Sequence, residues 1–83
     1  MKFKAEINIM PLKTLLDPQG KAVSASMKNI KLSEISNVRI GKHITLEIDA
    51  ESEEDANKKV SDACTKLLVN QIMEEFRFTI KKI

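Results

Sequence analysis

From Lys2 to Ile9 the apolar residues Phe3, Ala5, Ile7 and Ile9 alternate with Lys2, Lys4, Glu6 and Asn8, the period of a strand with one buried face. Met10 to Leu16 carries Pro11 and no clean period, and reads as a connection. A helix is predicted from Asp17, whose carboxylate suits the free amides of a first turn. Pro18 fits the first helical position, and Val23, Met27 and Ile30 share one face, widened by Ala22 and Ala25. After a polar connection over Lys31 to Ser36, Val38 and Ile40 alternate with Arg39, while Ile44, Leu46 and Ile48 alternate with Thr45, Glu47 and Asp49. Two strands meeting in a hairpin near Gly41-Lys42 are the favoured reading, and a bulged, nearly continuous strand through Gly41 fits the same letters.

Ser52-x-x-Asp55 resembles a capping box with aspartate in place of glutamate, and Glu53, Glu54 and Asp55 place negative charge where a helix start attracts it. The helix is predicted to continue to about Val69 or Asn70. Ala56, Val60, Ala63 and Leu67 form its stripe with Cys64 and Leu68 beside it, and Glu54/Lys58, Asp55/Lys59 and Asp62/Lys66 are spaced as ion pairs. Phe76, Phe78 and Ile80 then alternate with polar residues as a last strand. The order is βαββαβ. It predicts an α+β, ferredoxin-like fold in which both helices cover one face of an antiparallel sheet. The opposite face would show Lys2, Lys4, Glu6, Asn8, Arg39, Thr45, Glu47, Asp49, Arg77 and Thr79.

Length and composition narrow the possibilities. The chain has 83 residues, enough for a single domain over 1–83, and a domain this small gains from self-association. One cysteine excludes an intrachain disulfide, and with one histidine no ligand cluster of metal-binding spacing can be assembled, so no metal site is expected. No signal peptide or membrane span is read, which points to a cytoplasmic protein without a membrane partner. The 14 basic and 12 acidic residues are interspersed, so charge alone names no polyanion as partner; Lys81-Lys82 reads as a solvated end.

No catalytic constellation emerges. Cys64 belongs to an apolar stripe, His43 follows the turn on an exposed strand position, and the only glycines, Gly20 and Gly41, form no phosphate loop. The carboxylates Glu51, Glu53, Glu54 and Asp55 serve the helix start, and Glu74-Glu75 precedes a strand as solvated polarity or a partner contact. An RNA-recognition module shares the element order, but it needs aromatics on the open sheet face, and Phe3, Phe76 and Phe78 all have core parity. Nucleic acid is therefore not expected as a partner. A small-molecule-sensing domain of the same order remains open.

Three segments carry a family resemblance. Leu16-Asp17-Pro18-Gln19-Gly20-Lys21-Ala22-Val23, Val38-Arg39-Ile40-Gly41-Lys42, and Cys64 through Asn70 and Ile72 to Glu74-Glu75-Phe76 match, in order and spacing, signatures of the PurS family of phosphoribosylformylglycinamidine synthase subunits. The family commonly has proline after the asparagine; Gln71 stands there in this chain. The resemblance implies a segment-swapped homodimer, or a tetramer, that bridges the large synthetase subunit PurL and the glutaminase subunit PurQ. It implies no catalytic residue and no cofactor in this chain, with ATP and Mg used by the synthetase. Asp17, Pro18, Gln19, Gly20, Arg39, Gly41, Lys42, Asn70, Glu74 and Glu75 become the motif and partner-contact candidates. Arg39 and Lys42 lead them, because no local task for their charges is evident in the sequence.

Overall fold

A computed structural model describes residues 1–15 and 17–83; Leu16, the first residue of the helix-opening signature, lies outside the described residues. Strand β1 (Lys2–Pro11), helix α1 (Pro18–Ser26), strand β2 (Lys42–Asp49), helix α2 (Glu53–Ala63) and strand β3 (Glu74–Lys82) follow one another. The sheet is antiparallel with the order β2-β1-β3. In its register Ile7 lies opposite Ile44 on one side and Phe78 on the other, while Asn8 lies opposite His43 and Arg77, so apolar and polar residues separate cleanly onto two faces. On the polar face Lys2 pairs with Glu47 at 3.7 Å and the His43 ring meets the Asn8 side chain at 2.6 Å.

Strand β1 is the spine of the core. Phe3, Ala5, Ile7 and Ile9 are all buried, and helix α2 lies on them through Ala56 and Val60, joined by Cys64 just after its end. Ser52 caps α2 by accepting from the Asp55 amide at 3.1 Å, and Asp55 accepts in turn from the Glu51 amide at 3.3 Å. Lys59 and Lys66 reach Asp55 and Asp62 one turn back, as the spacing predicts. The helix then widens into a π-helical turn, Cys64–Leu68, and leaves the helical path at Val69. Cys64 is fully enclosed, and burial pushes its thiol above the ordinary range, so it packs as a small apolar group and stays protonated at neutral pH.

Two expectations need correction. Val38, Arg39 and Ile40 form no strand, because their hydrogen-bonding groups are engaged elsewhere: the Val38 amide donates to Ser24 Oγ at 3.4 Å and the Ile40 amide to Asp17 Oδ2 at 3.1 Å. Gly41 makes no hairpin either. The positive φ values fall at Lys31 (64°) and Asn37 (56°), and Gly41 leads directly into β2. Second, α1 does not lie on the sheet beside α2. A 3-10 turn over Met27–Ile30 extends it, and only Gly20 of the helix is buried, while Val23 and Ile30 remain 37% and 62% exposed. The radius of gyration, 16.5 Å, exceeds the roughly 12 Å expected of a compact chain this long, and the extents are 51 × 27 × 14 Å.

Candidate partner interface

Where α1 begins, the three signature segments converge. Asp17 Oδ1 accepts from the Gly20 amide at 3.0 Å, capping the helix, while Oδ2 accepts from Ile40 of the second segment. These amides, Gly20 first and then Ile40, hold the carboxyl below the usual carboxylate range, and the Arg39 charge adds to them. A depressed carboxylate stabilises the fold above its unfolded-state pKa, and that contribution is lost as pH falls through the folded value. Gly20 packs directly beneath the Val38 carbonyl, where a Cβ would collide with it, and Gly41 lies against the Ile9 carbonyl of β1 with the same consequence. Both glycines therefore serve close backbone approach.

The third segment ties in through Glu74. Its Oε1 accepts from the Asn70 amide at 2.9 Å, its Oε2 meets Lys42 Nζ at 3.3 Å, and the two together lower its pKa, the amide foremost. Arg39 donates through its guanidinium to the Pro11 carbonyl. Each of the two leading cations thus has a local task after all, one that sequence reading could not see because its partner lies 28 or more positions away. Asn70 closes the turn between α2 and β3. Its Oδ1 accepts from the Ile72 amide at 3.1 Å and its carbonyl from Met73 and Glu74 at 3.0 and 2.7 Å.

An open cleft of about 560 Å³ remains between these segments. Asp17, Pro18, Gln19, Gly41, Lys42, Asn70 and Glu74 line it, over apolar walls from Pro11, Leu15, Ile40 and Met73. Gly20 is not among the lining residues, and Arg39 and Glu75 border a separate depression beside Phe76 and Arg77. Of the cleft residues, Pro11, Leu15, Ile40 and Met73 were not among the contact candidates: Pro11 and Leu15 lay in a stretch without period, and Ile40 read as a strand residue. Among the described residues, nothing in the cleft pairs a nucleophile with a base, and its Asp17, Lys42 and Glu74 are occupied in holding segments together.

Comparison with known proteins gives the family. The family model PurS, phosphoribosylformylglycinamidine (FGAM) synthase, matches residues 4–82. The PurS subunit of phosphoribosylformylglycinamidine synthase from Bacillus subtilis is 32% identical over 98% of this chain and 95% of its own length. Its counterpart from Thermotoga maritima is 35% identical over 89% of this chain and 90% of its own. Among solved structures, a chain in PurLQS from Thermotoga maritima superposes with a TM-score of 0.89 at 32% identity, covering 98% of this chain and 99% of that one. The chain therefore belongs to the PurS family, the PurS subunits of the phosphoribosylformylglycinamidine synthase of purine biosynthesis.

Proposed function

We propose that this chain is the non-catalytic bridge of its synthase, acting in the cytoplasm as a homodimer that holds a PurL-type synthetase and a PurQ-type glutaminase in register. The reaction served converts formylglycinamide ribonucleotide, ATP, glutamine and water into the amidine, ADP, phosphate and glutamate, with ATP and Mg used by the synthetase. The observation that carries this reading is that the charges of Asp17, Lys42 and Glu74 are engaged within the chain, where they fix the position of α1 and of the α2–β3 turn. What they build is a shaped surface. Ammonia released by a glutaminase protonates in neutral water and then no longer attacks, so a protein that fixes the distance between two active sites contributes through geometry.

The open shape supports the dimer. Two strips on the helix side of the sheet, Ile44/Leu46/Ile48 on β2 and Phe76/Phe78/Ile80 on β3, are only half covered, while the α1 stripe through Val23 and Ile30 faces outward. Exchange of the α1 segment between two copies would cover both at once. An add-back assay tests the function: the chain alone has no glutaminase or ATPase activity, and glutamine-dependent amidine formation by the two larger subunits requires it. Equal rates without the chain would defeat the bridging role. A rate merely modulated, together with binding of a small metabolite, would favour a sensor instead.

A further inference from the structure

Strand β3 has β1 on one side and, among the described residues, no strand on the other. The Ile83 amide donates to the Lys2 carbonyl at 3.0 Å and the Leu12 amide to the Met73 carbonyl at 2.9 Å, so the odd positions of β3 are the ones that bond β1. Bonded and open pairs alternate along an antiparallel ladder, and the amides and carbonyls of Phe76, Phe78 and Ile80 therefore point out of the sheet's edge. No other described segment of the chain bonds them. Charge is ordered along the same strand. Glu74 and Glu75 open it and Lys81 and Lys82 close it, and of these four only Glu74 has an ion pair within its own chain among the described residues. An open edge of nine residues without proline is a template for another strand.

We propose that β3 pairs edge to edge with β3 of a second copy, antiparallel about a two-fold axis at Phe78, so that one sheet runs through both copies. Parity and charge set the register. Only even positions carry outward bonds, so even must meet even; with the axis at Phe78, that residue faces itself, Phe76 faces Ile80, and the apolar face continues across the joint. Charge fits the same register. On the polar face Glu75 of one copy lies opposite Lys81 of the other and Arg77 opposite Thr79, and at the strand ends Glu74 lies opposite Lys82. Moving the axis one residue either way sets Arg77 against itself or against Lys81, like charges that disfavour the pairing. The outer edge of β2 has no such order. Its even positions bond β1, as the Ala50 amide does at the Met1 carbonyl, and an axis at Thr45 sets Lys42 against Ile48 and draws on Glu47, which already pairs with Lys2. A strand whose charges complement its own reversed copy selects that copy as partner. The joint lies in the plane of the sheet and depends neither on the bridging role nor on exchange of α1, which covers the face.

The test compares Glu75→Lys, Lys81→Glu and the double charge swap with the wild-type full chain, by sedimentation over a range of concentrations and by amide exchange residue by residue. In the wild type the amides of Phe76, Phe78 and Ile80 are expected to gain protection as the chain is concentrated. Each single reversal sets like charges opposite one another at both ends of the joint, and should weaken self-association about fivefold or more and expose those amides; the swap restores opposite charges and should return to within about twofold of wild type. Exchange at these amides as fast as at an open edge, in a chain that self-associates, would overturn the pairing and leave α1 exchange standing, since α1 covers side chains on the face and not amides in the plane. A swap no better than the single reversals would overturn it as well. Protection that appears only when the cognate synthetase or glutaminase subunit is added would give the edge to a different chain and defeat the proposal.

Discussion

The two helices begin alike and end in different circumstances. Both are capped by a side-chain oxygen, Asp17 on α1 and Ser52 on α2, and both carry an apolar stripe. Yet α2 buries Ala56 and Val60 fully against β1, whereas α1 buries nothing but the glycine pressed on Val38. Local signals make a helix; whether its stripe finds cover depends on what else the fold brings to it. A nine-residue helix is too short to persist on propensity alone, so α1 depends on its cap and on the 38–40 strap that the Asp17 carboxylate binds. Within one chain the α2 stripe finds cover on β1, and the α1 stripe does not.

The sharpest way to break this symmetry is to damage each side equally. Ile7→Ala, beneath α2 at the centre of β1 and with no exposure, is expected to cost about 2–5 kcal/mol. A chain of this length holds only roughly 4–12 kcal/mol in total, so the variant loses much of its stability in a denaturant titration. Val23→Ala on α1 removes methyl groups too, but from an exposed surface. Its effect is expected in the concentration dependence of self-association, measured by sedimentation, with little change in the unfolding of the core. A core as sensitive to Val23 as to Ile7 would mean that α1 is covered within its own chain.

Gly20→Ala should act next most strongly, and locally. Helix propensity favours alanine by up to about 1 kcal/mol, but here the new Cβ meets the Val38 carbonyl, a backbone atom that cannot step aside without moving the strap. The expected outcome is faster amide exchange over 18–30 and 38–40 together, while the amides of β1 and β3 keep their protection. Slower exchange throughout α1 would show that propensity outweighs the collision.

The difference between the regions also explains what could be read in the sequence. Period-two alternation marked β1, β2 and β3, and caps marked both helix starts, because each signal sits within a few residues of the structure it makes. Val38–Ile40 alternates equally well. It fails as a strand because its amides are claimed by Ser24 and Asp17, 14 and 23 positions away, a competition no window of sequence reveals. The candidate site shows the same boundary. Asp17 was legible as a cap, but Gly41 had read as a hairpin or a bulge when it is a close approach to β1, and the partners of Arg39 and Lys42 come from β1 and β3, so that only folding brings them into reach.

The smallest expected effect concerns Gln71, in the turn between α2 and β3. Gln71 anchors the turn after α2 by donating from its side chain to the Thr65 carbonyl, an acceptor on the π-helical turn where the regular bonding of the helix has already shifted. Gln71→Ala removes that bond at an exposed site, and a loss at the low end of about 0.5–1.5 kcal/mol is expected. Gln71→Pro removes the same bond but restricts the unfolded chain, which returns about 0.4–1 kcal/mol where the backbone accepts proline. The turn's other bonds run through the amides of Asn70, Ile72, Met73 and Glu74, none of which proline at 71 deletes. The proline variant should therefore melt at or above the alanine variant and close to wild type. If it instead melts well below alanine, the glutamine holds a backbone geometry that proline cannot adopt, and the turn after α2 depends on the backbone at position 71 more than on its side chain.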